Sequence, residues 1–190
     1  GLLIEALGSN QLSTSSWIWI IFGTLIGSLL GILIAKKVPM TAMPETVALF
    51  NGCGGMSSLL VAIGAAFYPL SAEQNVNGSS IINLISICTS IFVGSITFSG
   101  SIIAMAKLQG WISTPNWTQS KIRHSINIVF SVISLAAVLQ LSQGTEFNGL
   151  FLLVAGASLL GIGVTLPIGG ADMPVVISLL NSYSGLAAAA

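Results

Sequence analysis

From residue 17 to residue 190 the chain is a succession of six long apolar segments, separated by a handful of charges and turn residues. They run from about Trp17 to Ala35, Pro44 to Phe67, Ser80 to Ala106, Ser125 to Leu141, Asn148 to Ile168, and from Pro174 onward. Roughly 20 apolar residues of helix cross the ~30 Å hydrocarbon core of a bilayer. Inside lipid a spanning segment must satisfy its own backbone hydrogen bonds, so the pattern predicts an all-α, polytopic transmembrane helix bundle. Composition excludes the soluble alternative. Of 190 residues 54% are hydrophobic and 5% charged, where a soluble domain carries about 25% charge. Five basic and five acidic residues cancel, which leaves no basic face for nucleic acid and no acidic tail. Cys53 and Cys88 both lie within apolar stretches and act there as small hydrophobes, not as a disulfide framework.

The first 16 residues read as an extramembrane segment and residues 17–190 as the transmembrane domain. The sixth segment, Pro174 to Ala190, is about 25 Å of helix at ~1.5 Å per residue and ends on four alanines. As the first residue is not Met, the chain reads as an internal piece of a longer protein.

Orientation follows from the basic residues, which favour the cytoplasmic side. Lys36 and Lys37 follow the first span, while Lys107, Lys121 and Arg123 lie between the third and fourth. An even number of crossings separates these loops, so all five fall on one face. The opposite loops hold Glu73 and Glu146, which places Glu5 and the amino terminus on the far side.

Membrane helices associate through small residues and interhelical hydrogen bonds. Gly23, Gly27 and Gly31 form a packing stripe on the first span. On the third, Asn83, Ser86, Ser90, Gly94, Thr97 and Ser101 recur every three or four residues and share a face about 80° wide. Polar groups at this depth must face the bundle interior, either as a packing stripe or as a hydrated path. Asn83 favours the path, since a carboxamide has four hydrogen-bonding sites that its own helix cannot satisfy.

The second and sixth spans resemble each other. MPETVALFNGCGG from Met43 and MPVVISLLNSYSG from Met173 match at Met, Pro, Leu, Asn and Gly without gaps, pairing Pro44 with Pro174, Asn51 with Asn181 and Gly55 with Gly185. A parallel repeat would put Asn51 and Asn181 at equal depth. Ser178, Asn181 and Gly185 share one face, with Ser182 beside them. Glu45 and Asp172 flank the prolines that open these helices, and two readings apply: dipole capping or proton handling. His124, the only histidine, follows Arg123 at the start of the fourth span and is the group able to titrate near neutrality. NGCGG and PIGGAD lack the strand and the partner residues of a phosphate loop. With no nucleophile-base pair and no metal-ligand cluster either, the segment performs no covalent chemistry of its own. No span carries a titratable carboxylate, lysine or histidine at its centre.

The stretches TLPIGGADMPVVISLLNSYSGLAAAA (Thr165 to Ala190), GSITFSGSIIAMAKLQG (Gly94 to Gly110) and KKVPMTAMPETVA (Lys36 to Ala48) closely resemble the beta subunit of proton-translocating NAD(P) transhydrogenase. The resemblance implies an enzyme in which hydride passes between NAD(H) and NADP(H) on two soluble domains while a membrane domain moves protons. This chain would be most of that membrane domain, binding neither cofactor itself and followed by one more helix and an NADP-binding domain. Its implied partners are an alpha subunit carrying the NAD-binding domain, membrane lipid, and a second copy in a dimer of the whole complex. Its implied location is the bacterial inner membrane.

Carried over by motif, the resemblance gives Asn181 and Asp172 roles in coupling protons to NADP binding and places Ser134 on the channel side. Asn83 stands where some members carry a proton-carrying histidine; the resemblance then implies that a helix of the alpha chain supplies that histidine. Leu186 stands where a tryptophan follows NSYSG in comparable members. The resulting expectation is a proton path held by Asn83, Ser134 and Asn181, gated through Asp172, Glu45 and His124, with Asn51, Ser86, Ser90, Thr97, Ser178 and Ser182 as further lining. The rival readings are a non-catalytic secondary transporter or channel module, with a solute site at the repeat, and a purely structural membrane subunit.

Overall fold

The computed structural model describes residues 14–67, 79–119, 121–142 and 146–189. They form six α-helices: α1 (Thr14–Lys37), α2 (Met43–Phe67), α3 (Ser79–Leu108), α4 (Ile122–Ser142), α5 (Glu146–Thr165) and α6 (Met173–Ala189). Short 3-10 turns at Met40–Ala42, Asn116–Gln119 and Gly170–Asp172 punctuate them, and no strand occurs among the described residues. These are the six apolar segments within a few residues at each end, and α1 to α5 are long and apolar enough to cross a membrane. The segment before Thr14, the loop with Glu73 and the side chain of Leu186 lie outside the described residues.

The chain divides into two compact units, residues 1–42 and 43–190. In the first, α1 exposes apolar side chains all round, among them Ile18, Trp19, Phe22, Leu25 and Leu29. It closes on Lys36 and Lys37, where cations complement the helix dipole. Within this unit nothing lies within 4 Å of a Cβ built at Gly23, Gly27 or Gly31.

In the second unit α3, 30 residues long, is the central helix. It packs against α2, α5 and α6, while α4 packs mainly on α5. Two small cores lie along it. Leu59 and Ala62 of α2 meet Cys88 and Ile91 of α3, Ala137 of α4, and Leu150 and Leu153 of α5. Nearer the other end, Ala48, Ala104, Met173 and Ile177 join α2, α3 and α6. The outer faces stay apolar, as with Ile128, Val129, Val132, Leu135 and Leu139 of α4, all exposed. A soluble protein keeps exposed apolar patches to a few hundred Å²; an exterior of this kind suits lipid.

Small residues set the closest approach. A Cβ on Gly94 would stand 2.8 Å from the Gly55 carbonyl oxygen and 2.9 Å from the Leu59 nitrogen, and a Cβ on Gly55 would meet the Phe98 nitrogen at 2.8 Å. The α2 and α3 backbones therefore touch where neither has a side chain. Between α4 and α5 a seven-residue register does similar work: Asn127, Ser134 and Leu141 sit against Gly163, Gly156 and Gly149 respectively. That period belongs to helices crossing at a shallow angle.

The helix ends follow from sequence. Gly110, at φ +72°, adopts the left-handed conformation that lets α3 stop. Its N–H donates to the Lys107 carbonyl at 3.0 Å and that of Trp111 to the Ala106 carbonyl at 2.9 Å, the paired bonds of a Schellman cap. Pro167, which has no N–H to donate, follows the end of α5. The repeat shows in the backbone: α2 and α6 both begin at the repeat's Met. Ahead of them Ala42 N–H donates to Pro39 at 3.0 Å and Asp172 N–H to Gly169 at 3.1 Å, four residues before each methionine.

Gly94→Ala is expected to cost about 1–3 kcal/mol through overpacking. Gly54→Ala, where nothing lies within 4 Å, should stay within about 0.5 kcal/mol. Thermal unfolding of the two variants in detergent checks the contrast.

Candidate functional site

The polar stripe of α3 faces inward, and its buried half is met from both sides. Gly94, Thr97 and Ser101 are buried, while Asn83, Ser86 and Ser90 are half-buried. Asn51 of α2 donates from Nδ2 to Ser101 Oγ at 2.8 Å. Ser184 of α6 donates to Thr97 Oγ1 at 2.9 Å. With Gly94 against Gly55, three successive stripe positions contact the two repeated helices. Interhelical hydrogen bonds of this kind contribute about 0.6–2 kcal/mol in a membrane.

Beside this seam a groove of about 710 Å³ runs between α2 and α6. Asn51 and Asn181, the paired asparagines of the repeat, both line it, together with Ser58, Ser178 and Ser184. Its walls thus combine apolar surface with two carboxamides and three hydroxyls, enough partners to hold water. Ser182 bonds back to the Ser178 carbonyl at 3.0 Å and is exposed.

Ser134 lies elsewhere. It is 2% exposed, returns its hydroxyl to the Phe130 carbonyl at 2.9 Å, and borders a second cavity of about 340 Å³ with Cys88, Thr89 and Ser131 between α3 and α4. Asn83 lines neither cavity. The residues expected to form one path are therefore distributed: Asn181 joins Asn51 and Ser178, Ser134 sits on a different side of α3, and Asn83 occupies the stripe's opposite end.

The residues at the helix starts gather on the Lys-rich face. Glu45, in the first turn of α2, accepts from Gln109 Nε2 at 3.2 Å, which ties it to the end of α3. Asp172 is exposed in the turn before α6. His124 is exposed and accepts from Arg123 Nε at 3.3 Å.

From sequence, Lys107 is a topology marker between the third and fourth spans. It lies instead in the last turn of α3 and is 6% exposed. Its ammonium donates to Thr114 Oγ1 at 2.9 Å, to the Ile168 carbonyl at 2.7 Å and to the Leu166 carbonyl. Asn127 was also missed: Nδ2 reaches the Gly163 carbonyl at 3.4 Å, and Oδ1 is buried without a protein partner, as is Ser95 Oγ. Its place seven residues before Ser134, on the α5-facing stripe, was the available signal.

All elements among the described residues are helical or 3-10, and the Gly-rich PIGGAD segment leads from one helix to the next and not from a strand. These residues do not fit a dinucleotide cradle. They define a different class, an integral membrane helix bundle with an internal polar seam.

Comparison with known proteins agrees. The sequence model of the NAD(P) transhydrogenase beta subunit family matches residues 1–190. The NAD(P) transhydrogenase subunit beta of Rhodospirillum rubrum is 41% identical over 181 residues, 93% of this chain. A second Rhodospirillum rubrum sequence of that subunit gives the same values. The chain belongs to the NAD(P) transhydrogenase beta subunit family, and it spans 38% of the length of these relatives.

Ser101→Ala, which removes the acceptor of Asn51, is expected to lower stability by about 1 kcal/mol. Ser58→Ala loses only an exposed bond to the Gly54 carbonyl of its own helix and should be within about 0.5 kcal/mol of wild type. Unfolding midpoints in detergent test the pair.

Proposed function

We propose that residues 17–190 are the membrane domain of a proton-translocating NAD(P) transhydrogenase, the part that couples hydride transfer between NAD(H) and NADP(H) to proton movement. The observation that carries this reading is the family match together with a polar seam whose two repeat asparagines share one groove. In it the cofactors belong to soluble domains outside this chain: NADP(H) on a domain following α6 and one further helix, NAD(H) on an alpha subunit. The complete complex is a dimer in the bacterial inner membrane.

Within the seam Asn181 and Asn51 orient water, with Thr97, Ser101, Ser178 and Ser184 as further partners. A carboxamide donates and accepts hydrogen bonds without taking up a proton, so the proton moves along water and the titrating group comes from a partner helix. Asn83 heads the stripe at its other end. Ser134 serves the cavity between α3 and α4. Asp172 and Glu45 mark the face where the state of the nucleotide-binding domain reaches α6 and α2, with His124 nearby on the same side.

In the complete complex reconstituted in vesicles, Asn181→Leu should abolish proton movement linked to turnover while hydride exchange between the soluble domains persists. Undiminished proton pumping by that variant would overturn the proposal.

A further inference from the structure

Lys107 is the buried cation that the family reading leaves without a role. An ammonium has three donors and no acceptor, and here each of the three has an oxygen: Thr114 Oγ1 and the carbonyls of Leu166 and Ile168. All three acceptors are neutral, and two belong to the backbone. Leu166 and Ile168 flank Pro167 directly after α5, where helix carbonyls lose their intrahelical partners and the dipole favours a cation. Charge-assisted bonds are roughly twice as strong as neutral ones, and an ionisable side chain kept within a membrane segment marks function.

The geometry points to Lys107 as a positioning residue that locks the connector between α5 and α6 to the end of α3. Ile168 lies four residues before Asp172, and Met173 then opens α6. The clamp therefore sets where Asp172 and the first turn of α6 stand relative to α3. Further along, Ser184 binds Thr97, so α6 is fixed to α3 at two levels, one at the Lys-rich face and one within the seam. Glu45 reaches the same end of α3 through Gln109, which brings the start of α2 under the same control. A displacement at Asp172 larger than Gly169 and Gly170 can absorb would break the Lys107 clamp or carry α3 with it. The coupling part of this inference rests on the transhydrogenase reading; the clamp does not.

The test uses the complete complex in lipid nanodiscs or vesicles and compares Lys107→Met with wild type. Hydrogen exchange at the amides from Ile168 to Asp172 should accelerate by about tenfold or more as the charged donor is lost. Protons moved per hydride transferred should fall with hydride transfer retained, in a complex that still assembles, unfolds within a few degrees of wild type and shows wild-type exchange at amides of α2 and α4, which a general loss of structure would not leave unchanged. Unchanged exchange from Ile168 to Asp172 overturns the clamp. Accelerated exchange with an unchanged proton-to-hydride ratio overturns its role in coupling. Should Lys107→Met fail to assemble, Thr114→Val removes one acceptor and keeps the charge; its exchange should rise by a smaller factor, and no rise overturns the clamp. The exchange readout stands even if Asn181→Leu pumps normally, so failure of the clamp and failure of the proton-path reading are told apart.

Discussion

At bilayer depth no bulk water is available to a hydroxyl or carboxamide, and a polar group left alone there costs several kcal/mol, on the order of a lost hydrogen bond or more. This constraint organises the bundle around α3. A helix bearing Thr97 and Ser101 on one face must be covered by helices that answer those groups, and α2 and α6 do so with Asn51 and Ser184. Direct side-chain bonds need close backbones. The approach of Gly55 to Gly94 brings α2 within reach, so the glycine contact and the hydrogen bonds above it are one device. The outer face of α4 is mainly apolar, with Ile128, Val132 and Leu135 exposed.

Much of the fold was legible because a membrane simplifies the problem. Helix number and limits follow from apolar length and from the charges between segments, and the α3 stripe follows from helical phase. The shared starts of α2 and α6 follow from the matched methionines and prolines, confirmed by bonds four residues upstream of each methionine. These are properties of single segments. Which helices meet is a property of pairs, and there the sequence was less explicit. The glycines that pack α5 against α4, at positions 149, 156 and 163, recur every seven residues and so were harder to see than a GxxxG run.

The site was legible in its residue types and less so in its grouping. Asn181, Asn51 and Ser178 were all singled out, and the structure brings them to one groove. Ser134 was grouped with Asn181, yet it borders a different cavity because α4 contacts α3 weakly and leans on α5. Lys107 escaped notice for a physical reason. A lysine near a helix end reads as interfacial, since its long stem usually carries the charge out to the headgroups. Here the stem turns instead toward the open end of α5, where the carbonyls of Leu166 and Ile168 accept it. Only the relative placement of α3 and α5 reveals those acceptors, and no local pattern encodes it.

On the proton-path proposal, the distribution of charge bears directly on how the seam would conduct. The groups where α3 meets α2 and α6 are Asn51, Thr97, Ser101 and Ser184, and Ser178 and Asn181 line the adjoining groove between α2 and α6, both exposed; all are carboxamides or hydroxyls. Each can donate and accept a hydrogen bond, and none takes up or releases a proton at neutral pH. The charged groups lie instead at the helix ends, with Glu45 and Lys107 each tied to neighbouring elements and Asp172 exposed at the start of α6. A seam built this way is neutral along its length and charged at its mouth. It lowers the cost of water without trapping an ion, and it leaves control to whatever moves the helix ends. On the proton-path proposal, conduction and control therefore fall to different residues of α3, its mid-helix stripe and its final turn, and a change in one can leave the other intact.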